Sequence, residues 1–492
     1  MNYEAVIGLE IHVELNTESK MFCGCSARVF GEKPNTHTCP VCLGMPGSLP
    51  VVNEKAIECT AKIGLALNSK IASFTKFDRK NYFYPDMPKD YQISQYDLPI
   101  CEGGCVDVEI AGLAPEGSDP RGYVRRVGIT RVHLEEDTGK LIHIGESGRI
   151  GGAEYSLVDF NRAGVPLVEI VTEPDIRTPD EAKAFVQKLK NIIEHLGVSD
   201  CDMEKGFFRC DANVSLRPLG TEELGTKSEV KNMNSFRAIQ RALAYEIERQ
   251  GELLGAGERV IQETRHWDAA KNVTMSLRSK EEAHDYRYFP EPDLVPMELS
   301  RNWVEELKAS LPELPNARKK RFIEDYGLTL YDAEFLTSSK TVGDYFEECA
   351  KDYPDVKKIS NWIMGELTMH LNAVNLKIDE SAVTPRHLVQ LIKLIDEGAI
   401  SGKMAKDIFK EMFETGKLPG IIIEEKGLVQ ISNEKEIDKI VDMVLEENQK
   451  AIEEYRSGKD RAFGFLIGQI MRLTKGRANP QLVNDVLRKK LS

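Results

Sequence analysis

Alternating apolar and polar positions predict several strands in the first 300 residues. The segment GLEIHVEL, residues 8–15, places Glu10, His12 and Glu14 on one face and apolar side chains on the other. The segment FRCDANVSLR, residues 208–217, alternates in the same way, with Asp211 on its polar face. A period of two is typical of a strand that buries one face. The sequence therefore predicts two strands that each present a polar face.

A third predicted strand, in RVGITRVHLEED at residues 126–137, loses its alternation near Thr130. A slip of one residue moves every following side chain to the other face of a strand. The pattern thus leaves open which of Glu135 and Glu136 faces the first strand.

Helical periodicity replaces the strand signals from about residue 299 onward. Apolar residues recur there every three or four positions between prolines and glycines, as in TPRHLVQLIKLIDEGAISGKMAKDIFKEMFETGKLPG. An earlier segment, TPDEAKAFVQKLKNIIEHLG, predicts a helix with Thr178 as N-cap, Glu181 completing a capping box and Gly197 at the end.

These patterns together predict an α+β protein with a sheet-rich first part and a helical second part. We expect an N-terminal cradle domain over residues 1–298, an all-α helical domain over 299–420 and a small helical tail domain over 421–492. A chain of 492 residues accommodates two or three domains of ordinary size.

The charge of the chain is unevenly distributed. It has 65 basic against 79 acidic residues, a formal net charge of −14, which argues against generic nucleic-acid binding. The segment from residue 457 to 492 is the exception, with eight basic and two acidic residues. Such a basic end is either an RNA-binding surface or an ordinary solvated helix face.

The chain shows the features of a cytoplasmic protein. Its first fifteen residues, MNYEAVIGLEIHVEL, lack the basic and apolar regions of an export signal, and no apolar run approaches the roughly 20 residues of a membrane span. We therefore expect a cytoplasmic location and no membrane contact. In that reducing compartment the ten cysteines are expected to be thiols or metal ligands, without disulfides.

Two close thiol pairs predict a metal site. The pairs are a CxC of Cys23 and Cys25 and a CxxC of Cys39 and Cys42. Thiol pairs joined by a polar loop are typical of a tetrahedral zinc site. Two alternatives stay open: a nearby His37 or the CEGGC motif at 101–105 supplies a ligand, or the loop cysteines bind no metal. Because four thiolates leave no open coordination position, such a site stabilises a loop and performs no catalysis.

Carboxylates and mixed basic and aromatic segments are candidates for chemistry elsewhere. The acids of the first strand and those at 135–137 can bind a divalent cation if the fold brings them together, although each is also compatible with a solvated strand. The segments FDRKNYFYPDMPKDYQ and DYRYFPEPDL combine cations with tyrosine and phenylalanine. Such segments stack on bases and neutralise phosphates, or simply pack against a sheet.

Several long blocks resemble one family. They are VIGLEIHVEL, KFDRKNYFYPDMPKDYQISQ, HLEEDTGK, LVDFNRAGVPLVEIVTEPD, RCDANVSLRP, EVKNMNSFRAIQRAL, DYRYFPEPD and GFLIGQIMRLTKGRANPQLVNDVL. In this order they closely resemble the B subunit of the glutamyl/aspartyl-tRNA amidotransferase. The resemblance implies a heterotrimer in which a glutaminase A subunit releases ammonia and a small C subunit holds A to B. The B subunit would bind misacylated tRNA, activate the side-chain carboxylate with ATP and Mg²⁺, and let ammonia displace the phosphate.

The resemblance also implies three sets of site residues. The implied magnesium ligands are Glu10, His12 and Glu136, with Glu135 as the open alternative. The implied catalytic residues of the transamidation pocket are Lys80, Asp211 and Glu229. The implied tRNA-binding residues, in a YqeY-like tail, are Arg472, Lys475 and Arg477.

The absence of two common motifs narrows the range of activities that the sequence predicts. The chain has no GxxxxGK[ST] loop and no GxSxG elbow, so a Walker-type phosphate loop and a serine hydrolase site of that kind are not expected. The SSK at 338–340 is interpreted as a helix cap, and ammonia must then come from a partner. Two other interpretations remain: a non-catalytic tRNA-binding scaffold, and the archaeal glutamate-specific branch, whose inserted domain this chain has no room for.

Overall fold

A computed structural model describes residues 3–110, 122–145, 152–279, 286–427, 434–474 and 478–491. The chain divides into two compact units, Met1–Leu314 and Pro315–Ser492. The first unit contains the described strands and the second is helical, so the predicted α+β class is confirmed. No helix in the described ranges is both long enough and apolar enough to cross a membrane.

Seventeen described strands build the first unit. They are β1 Tyr3–Glu14, β2 Lys70–Ile71, β3 Phe74–Thr75, β4 Asp78–Asn81, β5 Tyr91–Ser94, β6 Cys101–Glu102, β7 Cys105–Ile110, β8 Tyr123–Glu136, β9 Lys140–Ile144, β10 Tyr155–Asp159, β11 Pro166–Thr172, β12 Phe208–Pro218, β13 Ser228–Lys231, β14 Glu263–Asp268, β15 Val273–Ser279, β16 Phe289–Pro290 and β17 Met297–Glu298.

One large sheet dominates this unit. Its strand order is β15, β14, β13, β12, β1, β11, β8, β6, β2, and β7 pairs with a further stretch of β8. Neighbouring strands are antiparallel except β13 and β14. Smaller sheets join β16, β4 and β5, β9 with β10, and β3 with β17. The long strands β1 and β12 lie side by side near the centre, so their polar faces are continuous.

Helices cover the apolar face of the large sheet. They are α1 Glu54–Ala66, α2 Pro179–Leu196 and α3 Phe236–Gly255. Alternate residues of β1, including Ile7, Leu9 and Ile11, are buried against them in one core. The other face of β1 is left with polar side chains, as the period of two predicts.

The helix ends follow the sequence signals. The Thr178 hydroxyl accepts from the Glu181 amide at 3.1 Å, and Gly197 ends α2 in the left-handed conformation. The predicted capping box differs in one detail: the Glu181 carboxylate accepts from the amide of Arg177, one residue before the N-cap. Its other oxygen accepts from Tyr123 and Arg125, which ties the start of α2 to β8.

The second unit is built of helices, preceded in the first unit by α4 Arg301–Ala309. The helices are α5 Pro315–Tyr326, α6 Leu330–Leu336, α7 Lys340–Asp352, α8 Val356–Trp362, α9 Thr368–Val374, α10 Pro385–Asp396, α11 Gly402–Thr415, α12 Pro419–Lys426, α13 Glu434–Glu447, α14 Gln449–Arg456, α15 Asp460–Leu473 and α16 Pro480–Leu491. A π-helical turn, Ile363–Leu367, joins α8 to α9.

Two apolar cores lie within the second unit. One gathers residues between Phe322 and Ile423, and the other residues between Ile437 and Leu491. Leu307 of α4 belongs to the core of the first unit. The three-domain division with boundaries after residues 298 and 420 stays a prediction. The Ser339 hydroxyl accepts from the Val342 amide at the start of α7, so the helix-cap interpretation of SSK is confirmed.

Candidate functional site

The strand register places a row of polar side chains across the polar face of the large sheet, the face opposite α1, α2 and α3. Glu169 on β11 is paired with His12 on β1 and with His133 on β8. Arg209 on β12 is paired with His12 from the other side. Residues directly opposite each other on neighbouring strands share a face, so these four side chains form one line.

Two members of this row, His12 and Glu169, form with Glu135 a compact group that has the donors of a metal site. The Nε2 atom of His12 lies 3.6 Å from the Oε2 of Glu169 and 3.9 Å from the Oε1 of Glu135. One donor atom from each of the three lies within 4.8 Å of the others. Two carboxylates supply the oxygen ligands that a hard divalent cation prefers, and the imidazole adds a nitrogen.

Buried charge dominates the electrostatics of this group. Burial alone lowers the pKa of His12, but the hydrogen bond to Glu169 and the charges of Glu169 and Glu135 outweigh it and raise the pKa above its usual value. Burial likewise lowers the pKa of His133, and the charge of Glu169 with the hydrogen bond to Glu135 raises it overall to about 9. Burial raises the pKa of Glu169, yet the two imidazoles hold it well below the usual range. A cation that binds here therefore competes with the proton on His12.

Glu136 lies outside this group. Successive residues of a strand point to opposite faces, and Glu136 follows Glu135 directly. Its carboxylate pairs with the Lys89 ammonium and accepts from the Ile93 amide at 3.0 Å. The structure therefore brings Glu135, the open alternative, to His12, and it does not bring Glu136 into this group. The choice of Glu135 or Glu136 as a metal ligand stays a prediction.

A bulge explains why the sequence left that choice open. Val171 pairs with Arg131 and the next residue, Thr172, pairs with Ile129, so Thr130 is the extra residue of β8. A bulge shifts the phase of alternation by one residue. The break in the pattern near Thr130 is therefore real, and only the paired strand fixes the faces beyond it.

Glu10 is adjacent to the metal group on β1. It lies on the same face as His12, and its Oε1 accepts from the Asn213 side chain at 2.9 Å. Its register partner on β12 is Asp211. Glu10 thus stands between the His12 group and a second cluster on β12 and β13.

The second cluster contains Asp211, Glu229 and a lysine between them. The Lys231 ammonium lies 2.5 Å from the Oδ2 of Asp211 and 3.0 Å from the Oε1 of Glu229. The Thr264 hydroxyl donates to the Oε2 of Glu229 at 2.8 Å. Burial alone lowers the pKa of Lys231, but the two carboxylates raise it overall, so the lysine stays charged. The structure thus brings the predicted Asp211 and Glu229 together through Lys231.

Lys80 approaches from the small sheet that contains β4 and β5. Its ammonium lies 5.1 Å from the ring centre of Tyr286 and 5.9 Å from that of Tyr82. Burial alone lowers the pKa of Lys80, and the charge of Glu135 raises it above the usual value. The Ser94 hydroxyl on β5 donates to Glu135 at 3.0 Å, which ties this small sheet to the metal group.

A pair of carboxylates lies at the end of the polar row. Burial alone raises the pKa of Asp137, but Arg162 and Arg209 hold it below the usual range. Burial and the charge of Asp137 raise the pKa of Glu14 to about 9. Arg209 donates to Asp137 at 2.8 Å. The pair therefore shares one proton at neutral pH beside two arginines.

The four predicted zinc ligands come together. The Sγ atoms of Cys23, Cys25, Cys39 and Cys42 all lie within 4.8 Å of one another. The Cys39 amide donates to the Sγ of Cys42 at 3.2 Å. The hydrogen bond from Cys23 lowers the pKa of Cys42 to about 5, in spite of partial burial. In the part of the chain that the structure describes, His37 and the cysteines of CEGGC are not members of this group.

Of the predicted tRNA-binding residues, one is described. Arg472 lies near the end of α15 with its side chain exposed. Lys475 and Arg477 lie outside the described residues.

Sequence reasoning missed three members of the polar face: His133, Glu169 and Lys231. Glu169 is the one acid in PLVEIVT, an otherwise apolar strand, and buried acids are rare unless they have a partner. That isolated charge was the available signal. Lys231 lies in EVK two residues after Glu229, so the same alternation that places Glu229 also places Lys231.

Comparison with known proteins gives two family matches and many close relatives. Residues 5–305 match the family described as the GatB/GatE catalytic domain, and residues 344–491 match the GatB domain. A protein of Carboxydothermus hydrogenoformans, named as the B subunit of the aspartyl/glutamyl-tRNA(Asn/Gln) amidotransferase, is 56% identical over 490 residues, which cover 100% of this chain and 99% of the relative. Proteins with the same name from Thermoanaerobacter sp. strain X514 and Geotalea daltonii are 56% and 54% identical, each over 100% of both chains.

Proposed function

The chain belongs to the family of B subunits of the aspartyl/glutamyl-tRNA(Asn/Gln) amidotransferases, and on that premise we propose how its residues perform the reaction. The substrate is Glu attached to tRNA(Gln), Asp attached to tRNA(Asn), or both. A side-chain carboxylate oxygen attacks the γ-phosphorus of ATP, the bond to the β-phosphate oxygen breaks, and ADP leaves. Ammonia then attacks the acyl carbon, phosphate leaves, and the nitrogen loses a proton to give the amide.

The observation that carries this proposal is the group of His12, Glu135 and Glu169 on the polar face of the sheet. These residues would hold Mg²⁺, with Glu10 beside them on β1. When bound, the ion neutralises charge on the phosphates during phosphoryl transfer. Two ionised carboxylates and an imidazole are suitable ligands for the ion. Glu136 lies outside this group, and the chain has no Walker loop.

The neighbouring cations and acids suit the two steps that follow. Lys80, held above Tyr82 and Tyr286, can pair with the transferred phosphate or with the substrate carboxylate. Asp211 and Glu229 can orient ammonia and accept the proton that it loses. Lys231 lies between the two acids and fixes them relative to each other.

Partner subunits would supply the parts of the reaction that this chain does not perform. A relative that is named as the B subunit of an enzyme is one part of a multi-subunit assembly. We propose that a glutaminase A subunit delivers ammonia, that a small C subunit holds A and B together, and that the heterotrimer works in the cytoplasm, where tRNA is charged. The four cysteines would bind a structural zinc ion, and Arg472, Lys475 and Arg477 would contact tRNA.

The test is a reconstituted reaction. This chain is combined with matching A and C subunits, misacylated tRNA, glutamine, ATP and Mg²⁺, and both ADP and amidated aminoacyl-tRNA are measured. The proposal predicts one ADP for each amide formed, and no glutamate release from glutamine by this chain alone. If tRNA binds while neither ADP nor amide forms, the chain is a scaffold and the proposed site is wrong.

A further inference from the structure

Lys20 is a buried lysine beside the cysteine cluster. Its side chain lies among the largest fully buried ones, with 1% of the residue exposed. Lysine is almost never buried to this degree unless its charge is paired. Within the described part of the chain, no carboxylate lies within ion-pair distance of its ammonium. A group other than a carboxylate must therefore balance the charge of Lys20.

The contacts of Lys20 account for all three of its N–H donors. Its Nζ atom lies 2.7 Å from the carbonyl oxygen of His37, 3.5 Å from that of Phe160 and 3.7 Å from the Sγ of Cys42. An ammonium group has three donors and no acceptor, so this set of acceptors suits the charged form. Two of the acceptors are neutral carbonyls. Cys42 is the one acceptor that can carry a negative charge.

A metal ion bound by four thiolates would supply that negative charge. A divalent ion held by four thiolates has a net charge of about −2, which is costly to bury without a cation. We propose that Lys20 is the counter-cation of a metal tetrathiolate formed by Cys23, Cys25, Cys39 and Cys42, and that it stabilises the metal-bound form through the Cys42 sulfur. This inference rests on the structural zinc proposed above and adds a positioning residue outside the four ligands.

The same lysine joins the cluster to the strand end beside the polar face. Lys20 donates to Phe160, and the neighbouring Met21 amide donates to Gly164 at 2.7 Å. Gly164 in turn donates to the carbonyl of Asp137 at 2.9 Å. A loss of the Lys20 charge is therefore expected to loosen the metal and, through this chain of hydrogen bonds, the segment 160–164.

The test compares metal binding in Lys20→Met and Lys33→Met. Lys33 lies in the same loop with its side chain exposed, so its loss removes an equal charge that touches no sulfur. Zinc affinity is measured by competition with a chromogenic chelator in the full-length protein. Residues that contact metal ligands typically affect affinity about 10- to 100-fold, and we expect a loss of that size for Lys20→Met and none for Lys33→Met.

A spectroscopic readout separates this role from simple packing. With Co²⁺ in the cluster, removal of the hydrogen bond makes the Cys42 thiolate a stronger electron donor, so the sulfur-to-cobalt band moves to longer wavelength in Lys20→Met and stays in place in Lys20→Arg. Should Lys20→Met not fold, Lys20→Gln is the second variant, because it removes the charge and keeps a polar donor on a shorter side chain. Wild-type affinity and an unmoved band in folded Lys20→Met overturn the proposal, as does wild-type affinity in Lys20→Gln where Lys20→Met does not fold. A wild-type chain that binds neither Zn²⁺ nor Co²⁺ overturns the zinc assignment itself.

Discussion

Single charged residues in apolar strands determine which ligands the polar face of the sheet can bind. Glu10 and His12 were predictable, because the alternation in β1 is regular and its polar face is unambiguous. Glu169 was not predicted, because β11 is buried on both faces and shows no alternation. The choice between Glu135 and Glu136 depended on one bulge at Thr130, whose position is fixed by pairing with β11 rather than by local sequence.

At the same scale, Lys231 is expected to matter for ammonia transfer more than for phosphorylation. In Lys231→Met the two acids Asp211 and Glu229 lose the cation between them and repel each other. We expect the ratio of amide formed to ADP released to fall on the order of 100-fold, as a small misplacement of a catalytic group can cost. The exposed Lys271→Met is the matched control. Unchanged coupling of ADP release to amide formation in Lys231→Met would show that the lysine is not needed to orient these acids.

At the scale of elements, helix ends were easier to predict than sheet partners. Caps such as Thr178 and Gly197 act on the backbone within three or four residues, so the local sequence contains the whole interaction. Strand pairing joins residues far apart, as when β1 lies between β11 and β12. No local pattern specifies that order, which is why the sequence predicted the strands but not which polar side chains meet.

The packing of α1 against β6 gives a stability prediction. A Cβ added at Gly64 would lie 2.9 Å from the Cβ of Cys101, closer than real contacts allow. We expect Gly64→Ala to destabilise the protein by roughly 1–3 kcal/mol in urea unfolding. Gly251 in α3 is the control, because its added Cβ meets only Leu216 at 3.8 Å. Gly251→Ala should stabilise by up to about 1 kcal/mol through lower chain entropy. Equal effects in the two variants would contradict the close packing of α1.

A buried ionic network holds α3 against β14 and β15. The side chain of Glu246 is fully buried, accepts from Thr274 at 2.9 Å and lies 3.3 Å from the Nε of Arg265. Burial alone raises the pKa of Glu246, but hydrogen bonds from Arg249 and Gln250 hold it below the usual value. Glu246→Gln removes the charge and leaves Glu263 to pair with both arginines, so we expect a loss of roughly 1–3 kcal/mol near neutral pH.

The pH dependence of that loss has a definite sign. A depressed carboxyl pKa contributes stability above the unfolded value of 4.5, and this stability is lost as the pH falls through the folded value. The difference between wild type and Glu246→Gln in urea unfolding should therefore be constant from about pH 5 to 7 and shrink below about 4.5. A difference that grows on acidification would contradict an ionised Glu246.

At the scale of the whole molecule, composition and motif order were the most informative signals. The eight blocks in the sequence extend from the first strand to the last helix, which is why the family could be identified without a structure. The helical class of the second half followed from periodicity. Which helices pack together in each of its two cores could not be predicted, because that packing depends on contacts between distant segments.

The basic end of this acidic chain predicts a salt-dependent tRNA contact. Arg472→Ala should weaken tRNA binding and reduce the slope of log affinity against log salt by about one. The exposed Lys320 in α5 is the control, and Lys320→Ala should leave both quantities unchanged. Binding is measured for the assembled enzyme at several salt concentrations. An unchanged slope for Arg472→Ala would show that this residue does not contact phosphate.

The central claim is that His12, Glu135 and Glu169 hold the divalent ion for phosphoryl transfer. The most direct measurement is the rate of ADP release with misacylated tRNA, ATP and varied Mg²⁺ in the assembled enzyme, compared between Glu169→Gln and Glu136→Gln. We expect Glu169→Gln to slow ADP release on the order of 100-fold and to need more Mg²⁺, because a ligand is lost. Glu136→Gln should release ADP at close to the wild-type rate. The reverse pattern, with ADP release lost in Glu136→Gln and kept in Glu169→Gln, would contradict this account.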